Sequence, residues 1–181
     1  MALVRESGMP EETLWEGFFA SGLLQRLGVR GTVADFCCGY GTFSIPAARL
    51  AERVLAFDIS EEMVSRTRER AASLGLSNLT AERCDLEEGC PLQERSVDWV
   101  LLCNILHGER PELLLGEARR ILRHGGNALL LHWLQGATPR GPPLAIRPRP
   151  EDLERLARAA GFTRLQRRDA VPWHYAIIAG R

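Results

Sequence analysis

Residues 35–41 of the chain, Asp-Phe-Cys-Cys-Gly-Tyr-Gly, place an acid close to two glycines. Glycine lets a backbone approach a ligand because it has no Cβ atom, and the N-terminus of a following helix presents free N–H groups. Asp35 precedes Gly39 by four residues, so the loop offers a carboxylate to a positively charged group. This chemistry suits S-adenosylmethionine, whose amino-acid tail carries an ammonium and a carboxylate, better than it suits a pyrophosphate.

The glycine pattern alone does not identify the ligand. The dinucleotide fingerprint G-x-G-x-x-G would require a glycine at position 44, where the chain has Ser44. An ordinary strand-to-helix turn that binds nothing is the alternative, because glycine-rich turns are common.

Two further acids follow apolar runs of the same kind. Asp58 ends the run Arg53 to Phe57 and lies 17 residues beyond Gly41, near the position where a doubly wound sheet holds a ribose. Asp85 follows the run 79–84, where its carboxylate and the next N–H could meet an adenine edge. Each acid singly could be a solvated loop residue or a helix cap, but three acids after three strands indicate a ligand site.

Alternating strands and helices are needed to bring these acids to one edge. We predict strands near 32–36, 53–57, 79–84, 97–103 and 127–133, and helices near 42–51, 61–74, 111–122 and 151–160. This order predicts an α/β doubly wound, mostly parallel sheet with helices on both faces. The runs 162–168 and 173–179, joined by four residues, predict an antiparallel pair at the end of the chain. A further helix is predicted from about Met9 to Leu27.

Together these features resemble the class I S-adenosylmethionine-dependent methyltransferases. Asp35 to Gly41 is similar to the family's first motif, D-x-G-x-G-x-G, with Cys37 in the place of the first glycine. Asp58 matches the ribose-binding acid and Asp85 the adenine-side acid. Residues 122–128 resemble the L-x-P-G-G turn before the fifth strand, with His124 in the proline position.

The resemblance covers residues 33–180 and implies a Rossmann-like, seven-stranded sheet with an antiparallel last strand. It implies S-adenosylmethionine as the cofactor and S-adenosylhomocysteine as the product. One domain is expected over residues 1–181, with an N-terminal helical cap segment at 1–30 and a Pro/Arg-rich loop at 135–150. The expected cofactor contacts follow the first four strands: Asp35, Cys37, Gly39, Tyr40, Gly41, Asp58, Ile59, Asp85, Leu86 and Asn104.

Two histidines are the candidates for catalysis. Methyl transfer is an in-line displacement in which the enzyme mainly positions the nucleophile and excludes water, and a base is needed only if the acceptor carries a proton. His107 follows the fourth predicted strand and His132 lies at the end of the fifth. A packing or capping role is the alternative for each.

Four other residues are predicted to contact the acceptor. Arg140 and Arg147 lie in the long irregular loop and could bind an anionic acceptor. Trp133 could wall an apolar pocket, and Trp15 belongs to the N-terminal segment that could cover it. The alternatives are a surface loop with solvated arginines and a helix simply packed on the sheet.

Composition limits the choice of partners. The formal net charge is zero, so no overall field would draw the protein onto nucleic acid. No apolar run approaches the ~20 residues that span a bilayer, so we expect a cytoplasmic protein, monomer or homodimer, without a membrane partner. The five cysteines have no metal-ligand spacing, so no metal is expected. They are interpreted as small buried hydrophobes, the alternative being a thiolate set for a soft acceptor such as arsenite.

The sequence therefore predicts a methyltransferase that acts on an O, N or S atom of a small molecule, the methyl acceptor being its partner. Two alternatives stay open. One is a methyltransferase of RNA or protein, although no aromatic residues interleave with the arginines to stack bases. The other is a noncatalytic protein that binds S-adenosylmethionine.

Overall fold

The strands that occupy the middle of the molecule are almost wholly apolar, because helices cover both faces of the sheet. We describe residues 20–138, 140–170 and 172–181 in a computed structural model. Within these ranges the strands are β1 Thr32–Phe36, β2 Arg53–Asp58, β3 Leu79–Arg83, β4 Val97–Cys103, β5 Leu122–Trp133, β6 Arg164–Ala170 and β7 His174–Gly180. The helices are α1 Ala20–Arg26, α2 Ser44–Ala48, α3 Glu61–Ser73, α4 Pro111–Ile121 and α5 Pro150–Ala159, with a 3₁₀ turn at Leu144–Ile146.

The seven strands form one sheet in the order β3-β2-β1-β4-β5-β7-β6. Strands β1 to β5 are parallel, and β7 pairs antiparallel with both β5 and β6. The predicted fold class is confirmed, including the antiparallel last strand.

Two cores lie on opposite faces of the sheet. One contains Leu23 and Leu24 of α1, Ile45 of α2 and Val64 of α3. The other contains apolar side chains of α4 and α5, such as Leu115 and Leu153. The sheet is therefore sandwiched between two helical layers, as the alternation of elements predicts.

The fifth strand begins five residues earlier than predicted. Leu122 already pairs with Val97, but the register shifts before Trp99 pairs with Asn127. Gly125 adopts a positive φ of 79° inside this irregular segment. The predicted turn at 122–128 is thus a bulge within β5, because the chain keeps its pairing with β4 on both sides of it.

The first described helix, α1, ends as the sequence predicts. Gly28 has a φ of 74° and its N–H donates to the carbonyl of Gln25, while Val29 donates to Leu24. The rest of the predicted helix from Met9, including Trp15, lies outside the described residues. Among the helices described, none has the length and apolarity to span a membrane.

Candidate active site

The carboxyl ends of the parallel strands meet at one edge, and backbone hydrogen bonds hold the loops there together. Cys38 donates to the carbonyl of Phe57 at 2.9 Å, Cys84 to Asp58 at 2.9 Å, and Asn104 to Leu131 at 2.8 Å. Each loop is therefore positioned by the neighbouring strand. The predicted cofactor residues 35–41, 58–59, 85–86 and 104 all lie on this edge, where open α/β sheets bind ligands.

The glycine loop alternates left-handed residues. Cys37, Gly39 and Gly41 have φ values of 54°, 54° and 77°. A Cβ atom on Gly41 would lie 3.1 Å from Cγ2 of Thr67, so this position needs glycine for space as well as for its φ. Cys37 adopts the left-handed conformation even though it replaces the motif's first glycine, at a strain of about 1 kcal/mol.

Helix α3 holds the carbonyl groups of this loop. Oγ1 of Thr67 donates to the carbonyl of Gly39 at 2.8 Å, and the Arg70 guanidinium donates to that of Tyr40 at 2.5 Å. The guanidinium of Arg66 lies over the Tyr40 ring, 5.2 Å from its centroid. Sequence reasoning missed these supports, because Thr and Arg on an amphipathic helix carry no signal of the loop they contact.

Asp35 is a buried acid, 2% exposed, at the end of β1. Its carboxylate accepts a hydrogen bond from Oγ of Ser44 at 2.5 Å. Burial raises its pKa to about 7, the nearby Asp58 adds to the rise, and the hydrogen bond from Ser44 opposes it. An ammonium group brought beside Asp35 would favour the ionised form. Ser44 was identified from sequence only as the residue in place of a third glycine, and its role here is to hold this acid.

Asp58 links the first two loops of the site. Its Oδ2 accepts from the N–H of Gly39 at 2.9 Å and its Oδ1 from the N–H of Ser60 at 3.0 Å. Ile59, next in the chain, is 37% exposed, so its apolar side chain is accessible at this edge. At the end of β3, Asp85 accepts from the N–H of Glu87, and Leu86 is buried.

Asn104 follows β4 and is completely buried, with a φ of 62°. Within the described residues neither its amide oxygen nor its amide nitrogen has a hydrogen-bond partner. Buried polar atoms normally have partners, so an unpaired amide on the ligand edge indicates a group that a ligand completes.

The two candidate catalytic histidines are in contact. Nδ1 of His107 lies 3.1 Å from Nε2 of His132, and the two rings are nearly perpendicular at 83°. Both side chains are buried. Burial, with smaller contributions from the neighbouring His107 and His174, lowers the pKa of His132 to about 3. His132 is therefore neutral at physiological pH. Their adjacency follows from the pairing of β4 with β5.

The guanidinium of Arg147 binds within its own loop, and the predicted contact of Arg147 with an anionic acceptor stays a prediction. Its guanidinium donates to the backbone carbonyls of Pro142, Leu134, Gly136 and Arg140, and it is 8% exposed. These bonds use four of the five N–H donors of the guanidinium. Arg147 therefore fastens the loop that follows β5.

The other two predicted acceptor contacts in this region, Trp133 and Arg140, differ from each other in their exposure to solvent. Trp133 is fully buried, 4.1 Å from the ring of His174 and beneath the guanidinium of Arg147. It packs under the loop with no exposed surface, and its predicted role as the wall of an acceptor pocket stays a prediction. Arg140 is exposed, so a contact between it and an acceptor stays a prediction.

A cleft of about 640 Å³ lies at the opposite edge of the sheet. It is lined by amino-end residues such as Arg30, Asp98, Trp99 and His124. Asp98 there accepts from the N–H of Thr32 and pairs with Arg123. We place the site at the carboxyl edge, because the buried acid and the unpaired amide lie there. In the described part of the chain, no group of three or more His, Cys, Asp or Glu side chains could hold a metal ion.

Comparison with known proteins agrees with this architecture. The model of the family described as "Methyltransferase domain" matches residues 33–126. A 23S rRNA (uracil(1939)-C(5))-methyltransferase of Shewanella sp. strain ANA-3 is 39% identical over 108 residues, which are 60% of this chain and 20% of that protein. The match thus spans about a fifth of the relative's length.

Solved structures share the fold over almost the whole chain. A SAM-dependent methyltransferase from Aquifex aeolicus superposes with a TM-score of 0.84 at 22% identity, covering 93% of each chain. A type 11 methyltransferase structure from Sulfolobus solfataricus, titled as putative, gives 0.68 at 24% identity, covering 97% of this chain and 94% of that one. The chain belongs to the methyltransferase domain family. The resemblance to the class I S-adenosylmethionine-dependent methyltransferases, with their cofactor, is confirmed at this level.

Proposed function

We propose that this protein transfers a methyl group from S-adenosylmethionine to an O, N or S atom of a small molecule. The observation that carries the proposal is Asp35, a buried carboxylate on the ligand edge whose hydrogen-bond donor is a serine and not a cation. A buried acid of this kind is stabilised by a cationic ligand, and the ammonium of S-adenosylmethionine supplies that charge.

The other residues of the edge fit the remaining parts of the same ligand. The left-handed glycine loop exposes backbone to the amino-acid tail, and Asp58 retains lone pairs for ribose hydroxyls. The exposed Ile59 suits the adenine face, and Asp85 with the N–H of Leu86 suits its polar edge. Asn104 offers an unpaired donor and acceptor just after the end of β4.

Two observations favour a small acceptor. His107 and His132 are buried, which suits an acceptor small enough to reach them. Several arginines of the 140–168 segment are also already paired: Arg167 with Glu151 and Glu154, Arg155 with Asp152, and Arg147 with carbonyls. Arginines paired in this way contribute little to a phosphate-binding surface.

Methylation of RNA is the second candidate, because relatives of 39% identity are named for that activity. The name of these relatives specifies C5 of a uracil as the target. This carbon has no lone pair and becomes nucleophilic after a thiolate adds to the ring. Cys38, Cys90 and Cys103 are buried as expected, and desolvation raises the pKa of each thiol. Cys84 is half-buried and Cys37 is exposed, contrary to the expectation for a buried hydrophobe, but desolvation together with nearby acids raises the pKa of these two thiols as well. None is therefore poised as a thiolate, and this weighs against the uracil reaction.

Calorimetric titration of the protein with S-adenosylmethionine, and separately with NAD, tests the cofactor. We expect binding of the first alone, and loss of that binding in Asp35→Asn, which keeps the shape of the side chain but not its charge. Asp98→Asn, at the opposite edge, is the matched control and should bind normally. Binding of NAD, or equal binding by wild type and Asp35→Asn, would contradict the proposal.

Formation of S-adenosylhomocysteine then separates the acceptor classes. We expect turnover with a set of small phenols, thiols or amines, and little with bulk RNA. Turnover on RNA that falls steeply with salt would favour the second candidate. Binding of S-adenosylmethionine without turnover on any acceptor would favour a noncatalytic protein.

A further inference from the structure

Helix α3 has one polar side chain among its buried residues. These residues are Val64, Thr67 and Ala71, and their spacing places them on one face of the helix. The hydroxyl of a threonine inside a helix can bond the carbonyl three or four residues earlier. Thr67 instead donates across to the glycine loop, to the carbonyl of Gly39 at 2.8 Å. Its hydroxyl therefore acts on the loop and not on its own helix.

Gly39 in turn holds the carboxylate of Asp58. The N–H of Gly39 donates to Oδ2 of Asp58 at 2.9 Å, and the N–H of Ser60 donates to Oδ1 at 3.0 Å. Gly39 has a φ of 54°, and nothing among the described residues lies within 4 Å of the place that a Cβ atom would take. The conformation of Gly39 is therefore held by its hydrogen bonds and not by packing against a side chain.

The link from Thr67 to Asp58 thus runs through the two polar groups of one glycine. Thr67 holds the carbonyl of this residue and Asp58 accepts from its N–H. Because a glycine rotates freely, loss of the first bond lets the N–H turn away from the acid. The Thr67 side chain also packs against Gly41, where a Cβ atom would lie 3.1 Å from Cγ2. Valine at this position would keep the shape and remove only the hydroxyl.

We propose that Thr67 is a positioning residue for the ribose of S-adenosylmethionine. Its hydroxyl holds Gly39 in place, and Gly39 orients the carboxylate of Asp58 towards the ribose hydroxyls. The inference rests on the proposed function, in which Asp58 accepts from those hydroxyls. After accepting from Gly39 and Ser60, the carboxylate retains lone pairs for them. Thr67 acts through Gly39 and needs no contact with the ligand.

Calorimetry on the full chain tests this role by comparing S-adenosylhomocysteine with its analogue that lacks both ribose hydroxyls. We expect the wild type to bind the analogue ~10-fold or more weakly, the scale of a lost hydrogen bond to a charged group. In Thr67→Val the difference should shrink below ~3-fold, because the acid is no longer oriented. Thr67→Ser retains the hydroxyl and should restore the wild-type difference.

Val64→Ala is the matched control, because it removes packing from the same buried face and leaves the hydroxyl in place. It should lower the melting temperature and keep the wild-type difference between the two ligands. A loss of stability alone therefore does not change this readout. Thr67→Ala also lacks the hydroxyl and provides the same comparison if Thr67→Val does not fold.

An undiminished difference in Thr67→Val would overturn the inference, and so would equal behaviour of Thr67→Val and Thr67→Ser. Equal binding of the two ligands by the wild type would also contradict it, but would leave the cofactor assignment intact. Failure of the wild type to bind S-adenosylhomocysteine would instead overturn the proposed function, and the role of Thr67 with it.

Discussion

At the scale of single residues, the site contains buried polar groups that lack the hydrogen-bond or charge partners that buried polar groups normally have. Asp35 has a hydroxyl where a cation would be expected, and Asn104 has no hydrogen-bond partner within the described chain. Such groups lower the stability of the ligand-free protein and increase the favourable free energy of ligand binding.

Ser44→Ala should destabilise the protein in a pH-dependent way. The Ser44 hydroxyl stabilises the ionised form of Asp35, so its removal should cost about 1.5–3 kcal/mol at pH 8 and less at pH 5.5, where the acid is protonated. Chemical denaturation at the two pH values measures this difference. Ser65→Ala, on the outer side of α3, is the control and should change stability by less than about 0.5 kcal/mol at both. A pH-independent cost for Ser44→Ala would show that the hydrogen bond does not involve a titrating acid.

Asn104→Gly should separate stability from ligand binding. Glycine adopts the left-handed φ of this position without strain, and the removal of two unpaired polar atoms offsets the lost packing. We therefore expect the free energy of unfolding to change by less than about 1 kcal/mol, while the thermal shift caused by S-adenosylmethionine becomes smaller. Asn127→Gly, near the amino edge, should leave that shift unchanged. An undiminished shift in Asn104→Gly would remove Asn104 from the site.

At the scale of elements, the loop after β5 is held in its conformation by hydrogen bonds from one of its own side chains, Arg147. Four backbone carbonyls of this loop accept from one guanidinium, which lies over Trp133. Gly141 packs so closely that a Cβ atom there would lie 2.9 Å from both Arg147 and Trp133. The loop is thus shaped by its own residues before any acceptor arrives.

Arg147→Ala should loosen this loop, because it leaves four carbonyls without their donor. We expect faster proteolysis within residues 134–149 and a loss of about 1–3 kcal/mol in stability. Arg140→Ala removes an exposed arginine of the same loop and should do neither. If Arg140 binds an anionic acceptor, its variant should instead raise the acceptor KM. Equal protease resistance of wild type and Arg147→Ala would contradict the fastening role.

At the scale of the whole molecule, Asp35 should make the stability of the ligand-free protein fall with rising pH. Its pKa is raised from 3.8 to about 7, so between these values the folded protein holds more protons than the unfolded chain. His132 and His174 act in the opposite sense below pH 6.5, since burial lowers their pKa values to about 3. A comparison with Asp35→Asn isolates the acid. The free energy of unfolding of this variant should be higher than that of the wild type by on the order of 3 kcal/mol at pH 8. The difference should shrink towards pH 5.

Denaturation curves of both proteins across this range measure the effect. A constant difference between them would mean that Asp35 is already ionised in the ligand-free protein.

Much of this architecture could be predicted from the sequence, because it depends on local patterns. Alternating apolar strands and amphipathic helices indicated the sheet, and acids at strand ends indicated the ligand edge. The burial of Trp133 and the use of Arg147 within its own loop could not be predicted. Both depend on tertiary contacts between β5, β7 and residues 134–148, which leave no periodic signal in the chain. The bulge in β5 was missed because its glycines look like those of a turn.

Because β7 pairs with β5, the two halves of the site depend on different parts of the sequence. The groups assigned to S-adenosylmethionine lie between residues 35 and 104, on loops that β1 to β5 position among themselves. His132 instead lies opposite Tyr175, so its surroundings are completed by one of the last strands in sequence. During synthesis or refolding, the donor half can therefore take shape while the acceptor half still awaits the C-terminal hairpin. Affinity for the methyl donor should return earlier than turnover, and the interval between them reports the docking of β6 and β7.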